Sequence, residues 1–187
     1  MNLSIIVRHQ IRLFLKTPGI LVLIIAAPLF LIFIFGQAFT GIWDKASMGF
    51  SAMDYFGITL LTLTLFNGAM VAAWGVSKER KSNTEPRLGI APLRRGTVVW
   101  GTFLGIWVIL TALSFILVFL ARFVLSVDYG PSAAPVLLVM AGETLLAASL
   151  GVSASFLLPE KAANAILSTG VPLFCFLGGC YTMIPET

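Results

Sequence analysis

Histidine and cysteine are almost missing from this chain of 187 residues, which has one His and two Cys. His9 stands near the N-terminus among basic residues, so no His-based catalytic dyad can be built within an apolar core. Cys175 and Cys180 lie five apart in an apolar stretch. That spacing gives neither a disulfide framework nor a CxxC metal or redox pair, and the two read as packing residues. Charge is scarce as well: 11% of the residues are charged and 58% are hydrophobic, against about 25% and about 45–50% in soluble domains. With a mean hydropathy of +0.99, the chain reads as an integral membrane protein. At about 20 residues per helical span, the apolar residues fill roughly five spans. A separate soluble catalytic or ATP-binding domain has no room, and no GxxxxGK[ST] phosphate loop occurs.

What is present is a series of apolar runs separated by short polar connections. The expected fold is an all-α polytopic membrane helix bundle with five transmembrane helices over about 19–35, 55–76, 97–125, 134–158 and 163–180. Residues 1–18 form a separate interfacial segment, and 19–187 form the membrane domain with a long loop at 77–96. Ten of the twelve Lys and Arg residues fall before the first span, between the second and third, or between the fourth and fifth. This bias places the N-terminus and the 77–96 loop in the cytoplasm, and the expected location is the plasma (inner) membrane. The net charge of +4 therefore reports topology rather than a nucleic-acid partner.

Within residues 3–16, Arg8, Arg12 and Lys16 recur every fourth position, with Leu3, Ile6, Val7, Leu13 and Phe14 mostly on the other side. This predicts an amphipathic interfacial helix with its apolar face in lipid and its cations at anionic head groups. Thr17-Pro18-Gly19 supplies the break before the first span. Gly101 and Gly105, like Ala147, Gly151 and Ser155, have the four-residue spacing that lets helices approach closely, within the bundle or across a dimer. Asn67, Thr59, Thr62 and Thr64 are expected to hydrogen-bond between helices, with pathway lining as the alternative. Trp43, Trp74 and Trp100 read as interfacial anchors, and Pro28 as a kink in the first span. Glu143 lies roughly 12 Å inside the fourth span. A carboxyl there is open to structural hydrogen bonding, to lining a substrate path or to proton coupling.

The loop SKERKSNTEPRLGIAPLRRG, residues 77–96, is longer than a simple connection needs and carries an apolar set, Leu88, Ile90 and Leu93, within basic surroundings. Ser82, Asn83 and Thr84 offer N-cap chemistry, Pro86 suits a first helical turn, and Pro92 ends it. The result is a short cytoplasmic helix with an apolar ridge, suited to docking on a soluble partner. Glu79, Arg80, Thr84, Leu88, Pro92, Leu93, Arg95 and Gly101 fall in one ungapped register that resembles the coupling region of ABC type-2 transporter permeases. Asn83, Glu85, Pro86, Ala91 and Thr102 depart from that family's usual Gly, Leu, Glu, Thr and Lys.

The resemblance implies the permease subunit of an ATP-driven exporter, without ATPase activity or a cofactor of its own. Its partners would be a separate ATP-binding subunit, a second permease subunit and the bilayer. The coupling interface would comprise Glu79, Arg80, Thr84, Arg87, Leu88, Ile90, Pro92, Leu93 and Arg95. Six spans are usual in that family, so a chain of five spans reaching Thr187 is expected to be truncated before the sixth. The alternatives are an ATPase-independent carrier or channel using Glu143, and an intramembrane enzyme. For the latter neither a paired intramembrane Asp dyad nor a Ser/His set is available.

Overall fold

The computed structural model describes residues 3–40, 50–81, 95–130 and 134–180, and these are helical apart from the connections. Helix α1 covers Leu3–Leu15, α2 Pro18–Phe39, α3 Ala52–Phe66, α4 Gly68–Lys81, α5 Arg95–Val124, α6 Ala134–Leu157 and α7 Glu160–Leu177. The boundary between α1 and α2 follows from Pro18. Proline has no N–H and pushes the residue before it out of the helical region, and Thr17 accordingly sits at φ −118°, ψ 66°. Its hydroxyl donates to the Phe14 carbonyl at 2.9 Å, closing the last turn of α1. Pro28 is accommodated inside α2.

Helices α3 and α4 form one rod interrupted at Asn67. This residue keeps right-handed backbone angles and donates its backbone N–H to the Leu63 and Leu65 carbonyls. Among the described residues, three segments are long and apolar enough to cross a membrane: Ala52–Ser77, Gly96–Val124 and Ala134–Leu157. Helix α2 has 22 residues and is apolar along its length but for Gln37. Helix α7 has 18 residues and begins with Glu160 and Lys161, which dilute its apolar character.

The bundle is assembled from pairs: α4 on α6, α1 on α5, α2 on α3 and α5 on α6. One core joins Ile32 of α2, Phe56, Leu60 and Leu61 of α3, Leu117 and Val118 of α5, and Met140 of α6. Phe35 and Phe39 of α2 reach Phe56 with ring centroids 5.4 and 5.3 Å apart. A second core holds Phe14 of α1, Ala72 and Val76 of α4, Ile106 and Leu110 of α5, and Ala148 and Val152 of α6. Between α4 and α6 the fit depends on Gly151. A methyl group there would meet the Ala69 carbonyl and would lie 2.6 Å from the Ala72 Cβ.

Two expectations are corrected. Helix α1 does not give its apolar face wholly to lipid: Ile6, Gln10 and Phe14, spaced four apart, are buried against protein. The reason is the Gly101–Gly105 pair, which leaves α5 without side chains where α1 crosses it. Cβ atoms there would stand 2.7 Å from the side chains of Ile6 and Gln10. The pair is thus occupied by the N-terminal helix. The second correction concerns polar side chains of the α3–α4 rod. Thr59, Thr64 and Asn67 hydrogen-bond the carbonyls of Tyr55, Leu60 and Leu63, four residues back in their own rod. Side-chain bonds between helices are made by Gln10 to Thr102 at 3.5 Å and between Thr111 and Thr144 at 3.0 Å.

Candidate functional site

The helices that flank residues 82–94 come together with α1 near the N-terminal end of α5. Helix α4 ends at Lys81 and α5 begins at Arg95, so these two helices bracket the long loop. Glu79 and Arg80 belong to the last turn of α4, and Arg95 is the first residue of α5. Thr84, Arg87, Leu88, Ile90, Pro92 and Leu93, and with them the expected coupling helix, lie outside the described residues.

Helix α1 comes to the same end. Ile6 meets Gly101 and Gln10 meets Gly105, so α1 runs parallel to the first turns of α5. Phe14 then contacts Gly75 of α4 and packs edge-on against Trp74 at 6.0 Å. With that face buried, Arg8, Arg12 and Lys16 are exposed on the other. Trp100 is 61% exposed, as an interfacial anchor would be, whereas Trp74 packs within the second core, and Trp43 lies outside the described residues. The end of the bundle that carries the loop therefore also carries three exposed cationic side chains and a packed α1–α4–α5 junction.

Glu143 is buried within the bundle, on the same face of α6 as Met140 and Ala147. Met140 belongs to the core shared with α2, α3 and α5, while Ala147 packs with Ala69 of α4 and Leu167 of α7. The Glu143 Oε1 atom has no hydrogen-bond partner among the described residues. Asn67, the other polar residue expected inside a span, commits its amide N–H to Leu63 at 3.0 Å. Among the described residues no group of three or more His, Cys, Asp or Glu side chains is arranged to hold a metal ion.

The opposite end contains a clamp that was not anticipated. Ser51 and Asp54 form a reciprocal capping box at the start of α3. The Asp54 Oδ2 accepts from the Ser51 N–H at 3.0 Å, and Oδ1 accepts from the Asp128 N–H at 2.7 Å. Asp128 in turn accepts from the Gly130 N–H at 2.9 Å, where φ is +81°. One buried carboxylate thus caps a helix and ties down the connection leaving α5. Burial pushes the Tyr129 phenol above its ordinary range, Arg122 pulls it down and Asp54 pushes it up. The Ser-x-x-Asp pattern at 51–54 was the available signal for this cap. Nothing in the sequence announced the partner 74 residues away.

The family profile of ABC-2 family transporter proteins matches residues 44–186. The chain belongs to the ABC-2 transporter family. The matched residues contain α3 through α7 and the whole 77–96 loop. An ABC-2 membrane domain has no ATPase activity of its own, and its role is transport within an ABC system. No curated protein and no solved structure matches this chain.

Proposed function

We propose that this ABC-2 chain is the permease subunit of an ATP-driven exporter, forming the translocation path and docking a separate ATPase subunit through the 77–96 loop. The observation that carries the reading is the family match, which runs through that loop. Supporting it is the convergence of α1, α4 and α5 at the loop end. In this reading five helices, α2, the α3–α4 rod, α5, α6 and α7, cross the plasma membrane with the N-terminus in the cytoplasm. Two permease subunits pair to enclose the path.

The mechanism follows from how the loop is mounted. ATPase closure acts on the segment between Lys81 and Arg95, and any displacement reaches α4 and α5 directly because the segment is continuous with both. Helix α1 is wedged against α4 and α5, so it moves with them, and α4 transmits to α6 through the close contact at Gly151. The free energy comes from the coupling segment binding the ATPase's two states unequally, since a partner that bound both alike would shift nothing.

Co-purification tests the reading. The wild-type chain, expressed with its ATPase subunit, brings that subunit through purification; the variant with Leu88, Ile90 and Leu93 all changed to Asp loses it while keeping its own elution profile. Retention of the subunit by the triple variant would remove the loop from the interface. Full transport by the chain without ATP would instead support an ATPase-independent carrier, for which the unpartnered Glu143 oxygen is the favouring observation.

A further inference from the structure

The last turn of α7 closes in a way that gives its two cysteines a joint chemistry. Gly179 takes φ +77° and donates its N–H to the Phe176 carbonyl at 3.1 Å, while the Cys180 N–H donates to the Cys175 carbonyl at 3.0 Å. These two bonds define a Schellman motif, which brings the residue three positions before the cap face to face with the second residue beyond it. Here both positions are cysteines. Both thiols are free and buried, and they share a small core with Val171, Leu63 and Phe66. The turn is also held from outside the helix, because the Tyr55 hydroxyl of α3 donates to the Gly179 carbonyl at 2.6 Å. A spacing of five carries no such implication in an extended chain; the turn creates the pairing.

We propose that Cys175 and Cys180 are a redox modification site, forming a reversible intramolecular disulfide by exchange with a small disulfide oxidant. In the first step one Cys thiolate attacks a sulfur of the oxidant, giving a mixed disulfide and releasing one oxidant thiol. In the second the other Cys thiolate attacks the protein sulfur of that mixed disulfide, closing the Cys175–Cys180 bond and releasing the second oxidant thiol. Two protein thiols are oxidised, one disulfide is reduced to two thiols, and the two cysteine protons end on the released thiols. The product staples the final turn of α7 in the conformation that Tyr55 already holds. On the orientation proposed above this end faces the outside, where disulfides persist; the chemistry itself does not depend on that orientation.

The test is a redox titration of the full chain in lipid nanodiscs with reduced and oxidised glutathione, read by thiol counting and intact mass. The expected product has lost both thiols and the mass of two hydrogen atoms, is monomeric on a non-reducing gel, and is restored by dithiothreitol. Because the native turn preorganises the pair, its equilibrium constant for oxidation exceeds that of the same chain unfolded in detergent by about tenfold or more. Tyr55→Phe, which keeps the ring and loses the hydroxyl, reduces that advantage. Cys180→Ser gives no reversible thiol loss of this kind. Equal constants in the folded and unfolded chain, or cross-links between chains in place of the internal bond, would overturn the proposal.

Discussion

Where α1 crosses α5, contact is made by glycine: Gly101 and Gly105 are so closely covered that even a methyl group would strike Ile6 and Gln10. At the other end, where α3 begins and the chain leaves α5, contact is made by charge: the buried Asp54 carboxylate holds Ser51 and Asp128 together. The difference follows from what each end has to do. Helices that meet in lipid gain no hydrophobic driving force from meeting, so they associate through close backbone approach. A connection between spans has polar backbone groups to satisfy, and a carboxylate with several acceptor sites can satisfy more than one at once. The glycine-packed end is also the one carrying the 77–96 loop, so the elements proposed to receive the ATPase are joined by close backbone approach, with the Gln10–Thr102 bond beside it. The opposite end is fixed by directional bonds.

Substitutions sharpen this contrast, and the largest effect is expected at Gly151. Gly151→Leu drives a side chain into the Ala69 carbonyl and Ala72 and is expected to cost about 3 kcal/mol or more, read as lost yield of folded protein or a large fall in the thermal midpoint in detergent. Gly142→Leu, on the same helix with nothing within 4 Å, is expected to stay within about 0.5 kcal/mol of wild type. Gly105→Leu comes next, at about 2 kcal/mol. Its specific signature is release of α1, seen as faster proteolysis within residues 3–16 while α6 and α7 stay protected.

Breaking the polar end costs less. Asp54→Ala removes the α3 cap and the tie to Asp128 and is expected to cost about 1–2 kcal/mol, with hydrogen exchange rising at 126–130 and at the start of α3. Glu143→Gln is expected to change stability least, by about 1 kcal/mol or less, because Oε1 has no hydrogen bond to lose among the described residues. A normally expressed Glu143→Gln protein that has lost all transport would move Glu143 from bundle packing to the translocation path.

The sequence made the long elements readable and left their partners hidden. The runs expected over 97–125 and 134–158 are observed as Arg95–Val124 and Ala134–Leu157, since a continuous apolar stretch in lipid has few options besides a helix. The spacing of Arg8, Arg12 and Lys16 located the exposed face of α1. It could not reveal that the opposite face is buried in protein, because an apolar stripe looks the same whether lipid or a glycine groove covers it. Asn67, Thr59 and Thr64 are ambiguous in the sequence for a related reason: a short polar side chain in a helix can satisfy itself on the carbonyl one turn back, and here each does so. The Cys175–Cys180 contact was hidden by the turn that makes it, since a Gly178-Gly179 pair between two cysteines does not declare the sign of φ.

Accessibility labelling tests the central claim, that the glycine-packed end is the cytoplasmic, ATPase-receiving end. In a Cys175→Ser/Cys180→Ser background, Asn83→Cys and Ser126→Cys are each exposed to a membrane-impermeant maleimide, in intact cells and in inverted vesicles, with and without the ATPase subunit. The account predicts that Ser126→Cys is labelled in intact cells, and that Asn83→Cys is labelled only in inverted vesicles and is shielded when the ATPase is present. Labelling of Asn83→Cys from outside the cell, or in inverted vesicles equally with and without the ATPase, would contradict it.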